Sequence, residues 1–166
     1  MSAGVLFAVT LFAALGSGLM AGFFFAFSFT VMGALARLPA AQGIAAMQFI
    51  NIVVINPWFG VAFFGTAVAC AALAVSSLFS WQAPGSTYLL IGGLFYLAGA
   101  ILVTMVFNVP RNNALAAVDP ASAEAATLWA TYLPTWTAWN HVRTAAALAA
   151  AALLTLALCQ QRGGPS

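Results

Sequence analysis

The fold is decided by Trp136-Thr137-Ala138-Trp139-Asn140-His141-Val142-Arg143-Thr144, which runs straight into Ala145-Ala146-Ala147-Leu148 and on to Leu158 with Thr155 as its one polar residue. Tryptophans followed by a long apolar run have the form of a membrane helix leaving an interface. His141 and Arg143 then stand at the mouth of that helix, where an ionisable group is costly and, when kept, often functional. Few other residues can do the same work, because the whole chain carries four arginines, two acids, one histidine and no lysine.

Working outward, 64% of the 166 residues are hydrophobic and 4% charged, with a mean hydropathy of +1.06. That lies far outside soluble-domain composition and marks an integral membrane protein. Helix needs roughly 20 apolar residues to cross a hydrocarbon core of about 30 Å, and residues 4–35, 57–80, 87–107 and 141–160 each supply such a stretch. The expected fold is therefore an all-α integral membrane protein, a bundle of four transmembrane helices forming one domain over 1–160, with a disordered tail at 161–166. The apolar N-terminal stretch is too long for a signal peptide and has no basic residue ahead of it, so it reads as a retained first span.

Between the spans the pattern breaks. Arg37 to Gly43 gives a first loop, and from Ile44 a short amphipathic surface helix runs to about Ile55, where Asn56-Pro57 interrupts it. Asp119-Pro120 looks like the start of a second surface helix in loop three, ended by Pro134, with Asp119 and Glu124 favouring its first turn electrostatically. The third span is expected to end at Phe107, ahead of Asn108-Val109-Pro110-Arg111-Asn112-Asn113. Gly18 and Gly22 form a GxxxG pair that suits close helix packing within the chain or, alternatively, a homo-oligomer.

Several function classes drop out. A net charge of +2 without a basic run gives no footprint for nucleic acid. Cys70 and Cys159 lack the spacing of a zinc site or disulfide framework, and one histidine with two surface acids does not make up a metal's ligand set, so no metal is expected. What remains is an asymmetry. In a four-span bundle Gln48, Asn51 and Asn56, then Asn108, Asn112 and Asn113, then Asn140, His141 and Arg143 all fall at one end. Arg37, Arg111 and Arg143 share that end against Arg162 at the other, which by the positive-inside rule places the polar end in the cytoplasm and both termini outside; a bacterial cytoplasmic membrane is the expected location. Spans turn polar side chains inward, so these groups converge on a pocket or on a network tying helix ends together.

Four segments of this chain resemble the anthrone oxygenase family of small four-span membrane proteins: Gly22 through Met32, Met47-Gln48-Phe49-Ile50-Asn51 with Asn56-Pro57, Asn108-Val109-Pro110, and Trp139-Asn140-His141-Val142-Arg143-Thr144. Gly33 and Arg111 depart from the family pattern, which often has proline and an apolar residue at those places. The resemblance implies oxidation of a hydrophobic aromatic anthrone, or a similar phenol, by dioxygen without a metal, flavin or other cofactor. The residues present permit it, because an anthrone anion reacts with dioxygen directly and needs only a base, anion stabilisation and a dry pocket. On that reading His141 is the base, Arg143, Asn140 and Asn108 stabilise the oxyanion, Trp136 and Trp139 pack on the ring, and Gln48, Asn51, Asn56 and Asn112 bind or orient substrate. The rival reading is a non-catalytic membrane protein that binds a quinone or lipid-like ligand, or packs with a partner.

Overall fold

The computed structural model describes residues 1–163, with side chains through Gln161. Four helices are long and apolar enough to cross a membrane: α1 (Ala3–Leu35), α3 (Pro57–Phe79), α4 (Ser86–Ala116) and α5 (Ala123–Gly163), with α2 (Ala40–Val53) between the first two. The expected all-α four-span bundle is what the chain forms. Around the bundle α1 packs on α5 and α3, and α4 packs on α3 and α5, so each span touches its two neighbours. Lipid supplies no hydrophobic drive between helices, so close packing has to hold them. Small residues provide it: a Cβ on Gly93 of α4 would lie 2.7 Å from the Cys70 carbonyl of α3, and one on Gly99 would strike Ala146 of α5. Gly18 and Gly22 do not serve this purpose inside the chain, since Gly22 faces open space and Gly18 only reaches Ala151.

Apolar side chains divide into three sets. Phe12, Leu15, Phe25, Val68 and Leu148 point outward, as a protein solvated by hydrocarbon requires. Met20, Phe24, Leu73, Tyr96 and Leu154 fill the bundle centre. A second cluster, with Met32, Ile44, Met47, Leu115, Trp129 and Tyr132, caps the end where α2 lies. Ile44 and Met47 are fully buried there, and burying each contributes about 1.5–3 kcal/mol to holding α2 in place.

Several boundaries differ from expectation. α2 begins at Ala40 and not at Ile44, and the helix expected from Asp119-Pro120 begins at Ala123, where Ser122 Oγ accepts from Ala125 N at 3.1 Å. The third span does not stop at Phe107: the helix continues through Pro110 to Ala116. Pro110 sits in the first turn after a π-helical stretch (Thr104–Asn108), and Arg111 Nη1 donates to the Phe107 carbonyl at 2.6 Å. The surface helix expected to end at Pro134 is instead the first part of α5, which carries Pro134 inside it. Trp129, Tyr132 and Trp136 stack in sequence along this segment. Thr131 and Thr135 hydroxyls donate to the Leu128 and Thr131 carbonyls beside Pro134, and the helix continues through it. The start of α3 follows expectation, with Asn56 Oδ1 accepting from Phe59 N at 3.0 Å as the N-cap before Pro57. Because α5 runs to Gly163, only 164–166 of the expected tail lie outside the described residues.

Candidate functional site

Along α5 the residues Trp136, Asn140 and Arg143 follow i, i+4, i+7 spacing and share one face. All three are buried, and the face continues through the buried Ala147, Ala150, Leu154 and Ala157. Asn140 is the hub. Fully buried, it donates through Nδ2 to the Phe24 carbonyl (2.6 Å) and Ser28 Oγ (2.7 Å) of α1, and its Oδ1 accepts from Arg143 Nη2 at 2.6 Å. The Phe24 carbonyl borders the π-helical turn Phe27–Val31, where the shifted backbone register suits it to accept a side-chain donor.

Arg143 is 6% exposed, and both carboxylate side chains of the protein, Asp119 and Glu124, are on the surface. Its partners are neutral: Asn140, Thr104 Oγ1 at 3.2 Å from Nη1, and the rings of Phe24 and Trp136, whose centroids lie 4.5 and 5.0 Å from the guanidinium carbon. Stacking on rings offsets part of the desolvation of a guanidinium, yet its Nε remains buried without a hydrogen-bond partner. A buried cation with a free donor and no counter-anion among the described residues is the arrangement that a bound anion completes.

Arg143 borders a cavity of about 310 Å³, a size suited to a small organic ligand. Its walls are largely aromatic and aliphatic, from Phe23, Phe24, Phe27, Phe59 and Phe63, with Asn51, Asn112, Thr104, Trp136 and Asn140 as the polar or amphipathic points. Three π-helical stretches, Phe27–Val31, Val61–Gly65 and Thr104–Asn108, carry wall residues or their partners, in keeping with the frequency of such turns at functional sites.

The remaining expected site residues fall in distinct places. Asn112 Oδ1 accepts from both Tyr132 Oη and Trp136 Nε1 at 2.8 Å, and so sets the pose of the tryptophan facing the cavity. Asn108, buried behind that wall, donates to the Trp136 carbonyl at 3.2 Å and leaves its Oδ1 unpartnered. Gln48 donates to the Leu115 and Val118 carbonyls and thereby ties α2 to the end of α4. Asn56 caps α3 at the cavity rim. Trp139 turns away and stacks on Phe107 at 3.5 Å between centroids. His141 is exposed, one step around the helix from Asn140. It lines a separate outer groove with Ser28, Met32 and Pro134, its ring 5.0 Å from that of Phe29.

Sequence reasoning passed over Phe24, Ser28 and Thr104, which complete the Arg143 network. The signal for one of them is present, since Thr104 is an isolated hydroxyl in an otherwise apolar stretch of a span, and such residues turn toward other helices; Ser28 has the exposed Thr30 two residues away and is not singled out. For metals, no group of three or more histidine, cysteine or acidic side chains comes together among the described residues. No curated protein and no solved structure matches the chain. The family model for anthrone oxygenase matches residues 56–153, a segment that contains Asn112, Trp136, Asn140 and Arg143 and more than half of the sequence; the chain belongs to the anthrone oxygenase family.

Proposed function

We propose that the protein oxidises an anthrone or a closely similar phenolic polycycle to a quinone with dioxygen, and that Arg143 holds the oxyanion of the reacting substrate. The observation that carries this is the buried Arg143 guanidinium, paired with neutral groups only, on the wall of an aromatic-lined cavity. In such a place a fixed cation stabilises developing negative charge far better than water does, without reorganising. Asn140 fixes the guanidinium through a 2.6 Å bond and is itself fixed to α1. Trp136, held by Asn112, supplies a flat surface for the ring system.

In the reaction the central methylene C–H breaks and its electron pair enters the ring, leaving an enolate oxygen against Arg143. The proton passes to water at the amide-lined mouth formed by Gln48, Asn51 and Asn112. The anion then passes electrons to dioxygen, a C–O bond forms, and the resulting peroxide anion takes a proton back from water to become a hydroperoxide. Loss of water across that carbon breaks the O–O bond and leaves the second carbonyl. One oxygen atom ends in the quinone and the other in water. The base role expected for His141 has no place in this scheme, because its ring lies in the outer groove.

Oxygen uptake by the purified protein with a panel of anthrones, set against the autoxidation background, tests the reading. Uptake in excess of background, matched one to one by quinone absorbance, is the expected result. Saturable binding of the same compounds without uptake refutes it and leaves a binding protein.

A further inference from the structure

Beside the Arg143 cavity, between α1, α2 and the start of α3, lies a second hollow of about 610 Å³. Its lining is apolar apart from Asn56, and its outer edge is made by Leu19, Phe49, Val53 and Trp58, all of them largely exposed. It opens on the flank of the bundle, the side that faces lipid in a chain whose α1 and α3 cross the membrane. The two hollows share walls: Phe23, Phe27, Ile50, Val54, Asn56 and Phe59 line both. Phe23 is the hinge of this partition, with Phe27 and Phe59 rings 4.8 and 5.4 Å away. The partition is therefore made largely of aromatic side chains, whose rotation costs far less than moving a helix.

Depth gives the groove a direction. Phe24 stands level with Arg143, and Leu19, at the far end of the groove, lies five residues back along α1, about 7 Å closer to the bilayer middle at 1.5 Å per residue. The cavity also has the amide-lined mouth described above, which shares Asn51, Ile55, Val109 and Asn112 with it and opens at the membrane end. One cavity thus carries an apolar opening sideways into lipid and a polar opening toward water.

The geometry points to the flank groove as the route by which a membrane-dissolved planar phenol reaches Arg143, passing from the acyl-chain region between α1 and α3 through the Phe23, Phe27 and Phe59 partition. A planar phenol partitions into lipid and meets the groove there at high local concentration, while the polar mouth is left for protons and water. The route rests on the reading of the cavity as a phenol site, but not on turnover.

The test uses wild-type protein in phosphatidylcholine vesicles loaded with 1,8-dihydroxyanthraquinone, and follows the rates of binding and release by stopped-flow quenching of tryptophan fluorescence. Ala62→Phe and Val53→Phe place a ring in the groove at residues that do not line the cavity, and Asn113→Phe places one in the polar mouth. An obstructed route slows both directions equally. Each groove variant is expected to lower the on-rate and off-rate together, about tenfold in the double variant, with an unchanged Kd, and Asn113→Phe to leave both rates as they are. A fall in rates for Asn113→Phe alone overturns the lateral route in favour of the aqueous one, and unchanged rates in the double groove variant overturn it equally. A changed Kd in one groove variant signals distortion of the cavity, and the other then decides. If wild type shows no saturable binding, the phenol site itself fails and the route falls with it. Binding with the expected rates but no oxygen uptake leaves the route standing and refutes only the oxidation.

Discussion

Replacing Arg143 by methionine keeps the length and the packing against Phe24 and Trp136 while removing the charge. A cation and an anion about 4 Å apart at an effective dielectric constant of about 20 attract by about 4 kcal/mol, and every 1.4 kcal/mol or so is tenfold in rate. If the enolate forms beside this guanidinium, Arg143→Met lowers kcat by about 10²–10³-fold, the range found when one preorganised oxyanion donor is lost. The same interaction has a second signature that needs no turnover. A neighbouring cation favours the ionised form of a bound phenol and so lowers its pKa; without the cation the pKa rises, by about 3 pH units for an interaction of this size. The assay is a pH titration of the visible absorbance of bound 1,8-dihydroxyanthraquinone in wild type and variant, alongside oxygen uptake. The substitution leaves Asn140 Oδ1 without its 2.6 Å donor, so the fold is checked by thermal unfolding. A variant that stays folded, retains activity within threefold and titrates its bound phenol at the wild-type midpoint refutes the role given to Arg143.

His141→Ala separates the two assignments of the base. A general base contributes about 10²–10⁴-fold, whereas a ring in the outer groove predicts activity within about threefold of wild type and a pH-rate profile without an imidazole inflection; a loss of 10²-fold or more in kcat with that inflection abolished restores His141 to the mechanism. Asn140→Leu removes a buried amide that serves Phe24, Ser28 and Arg143 at once, and leaving Arg143 Nη2 without its buried acceptor costs about 1–3 kcal/mol. Its expected effect is a clear drop in stability, read by denaturant titration in detergent together with kcat, and an unchanged midpoint argues against the hub role.

The spans were legible because lipid imposes a coarse and severe demand, long apolar stretches, that local detail does not disguise. Their ends were not. Asn108-Val109-Pro110-Arg111 reads as a loop by local chemistry, and becomes helix because Arg111 reaches Thr135 and Asn112 engages Tyr132 and Trp136, contacts made across to α5. Pro134 reads as a stop and is overridden by the aromatic stack of Trp129, Tyr132 and Trp136. The candidate site was legible as a cluster at one end, yet adjacency in sequence is not adjacency around a helix. Successive residues on a helix differ by about 100°, so the segment Asn140-His141-Val142-Arg143 sends Asn140 and Arg143 inward and His141 outward. The buried face at Ala147, Ala150, Leu154 and Ala157 is in phase with 140 and 143, but alanines on every side of this stretch hide it in the sequence.

The unbroken fourth helix fixes something else. At 1.5 Å per residue its 41 residues span about 60 Å, twice the hydrocarbon thickness of about 30 Å. Arg143 lies 20 residues before Gly163, about 30 Å at 1.5 Å per residue, so a bilayer whose one boundary meets the far end of the helix has its other boundary near the guanidinium. Bilayer thickness then becomes a variable of the chemistry. A thicker membrane draws the cation down among acyl chains, where the surrounding lipid has to thin to keep it near water, and a thinner one lifts the flank groove toward the headgroups and away from the solute it would collect.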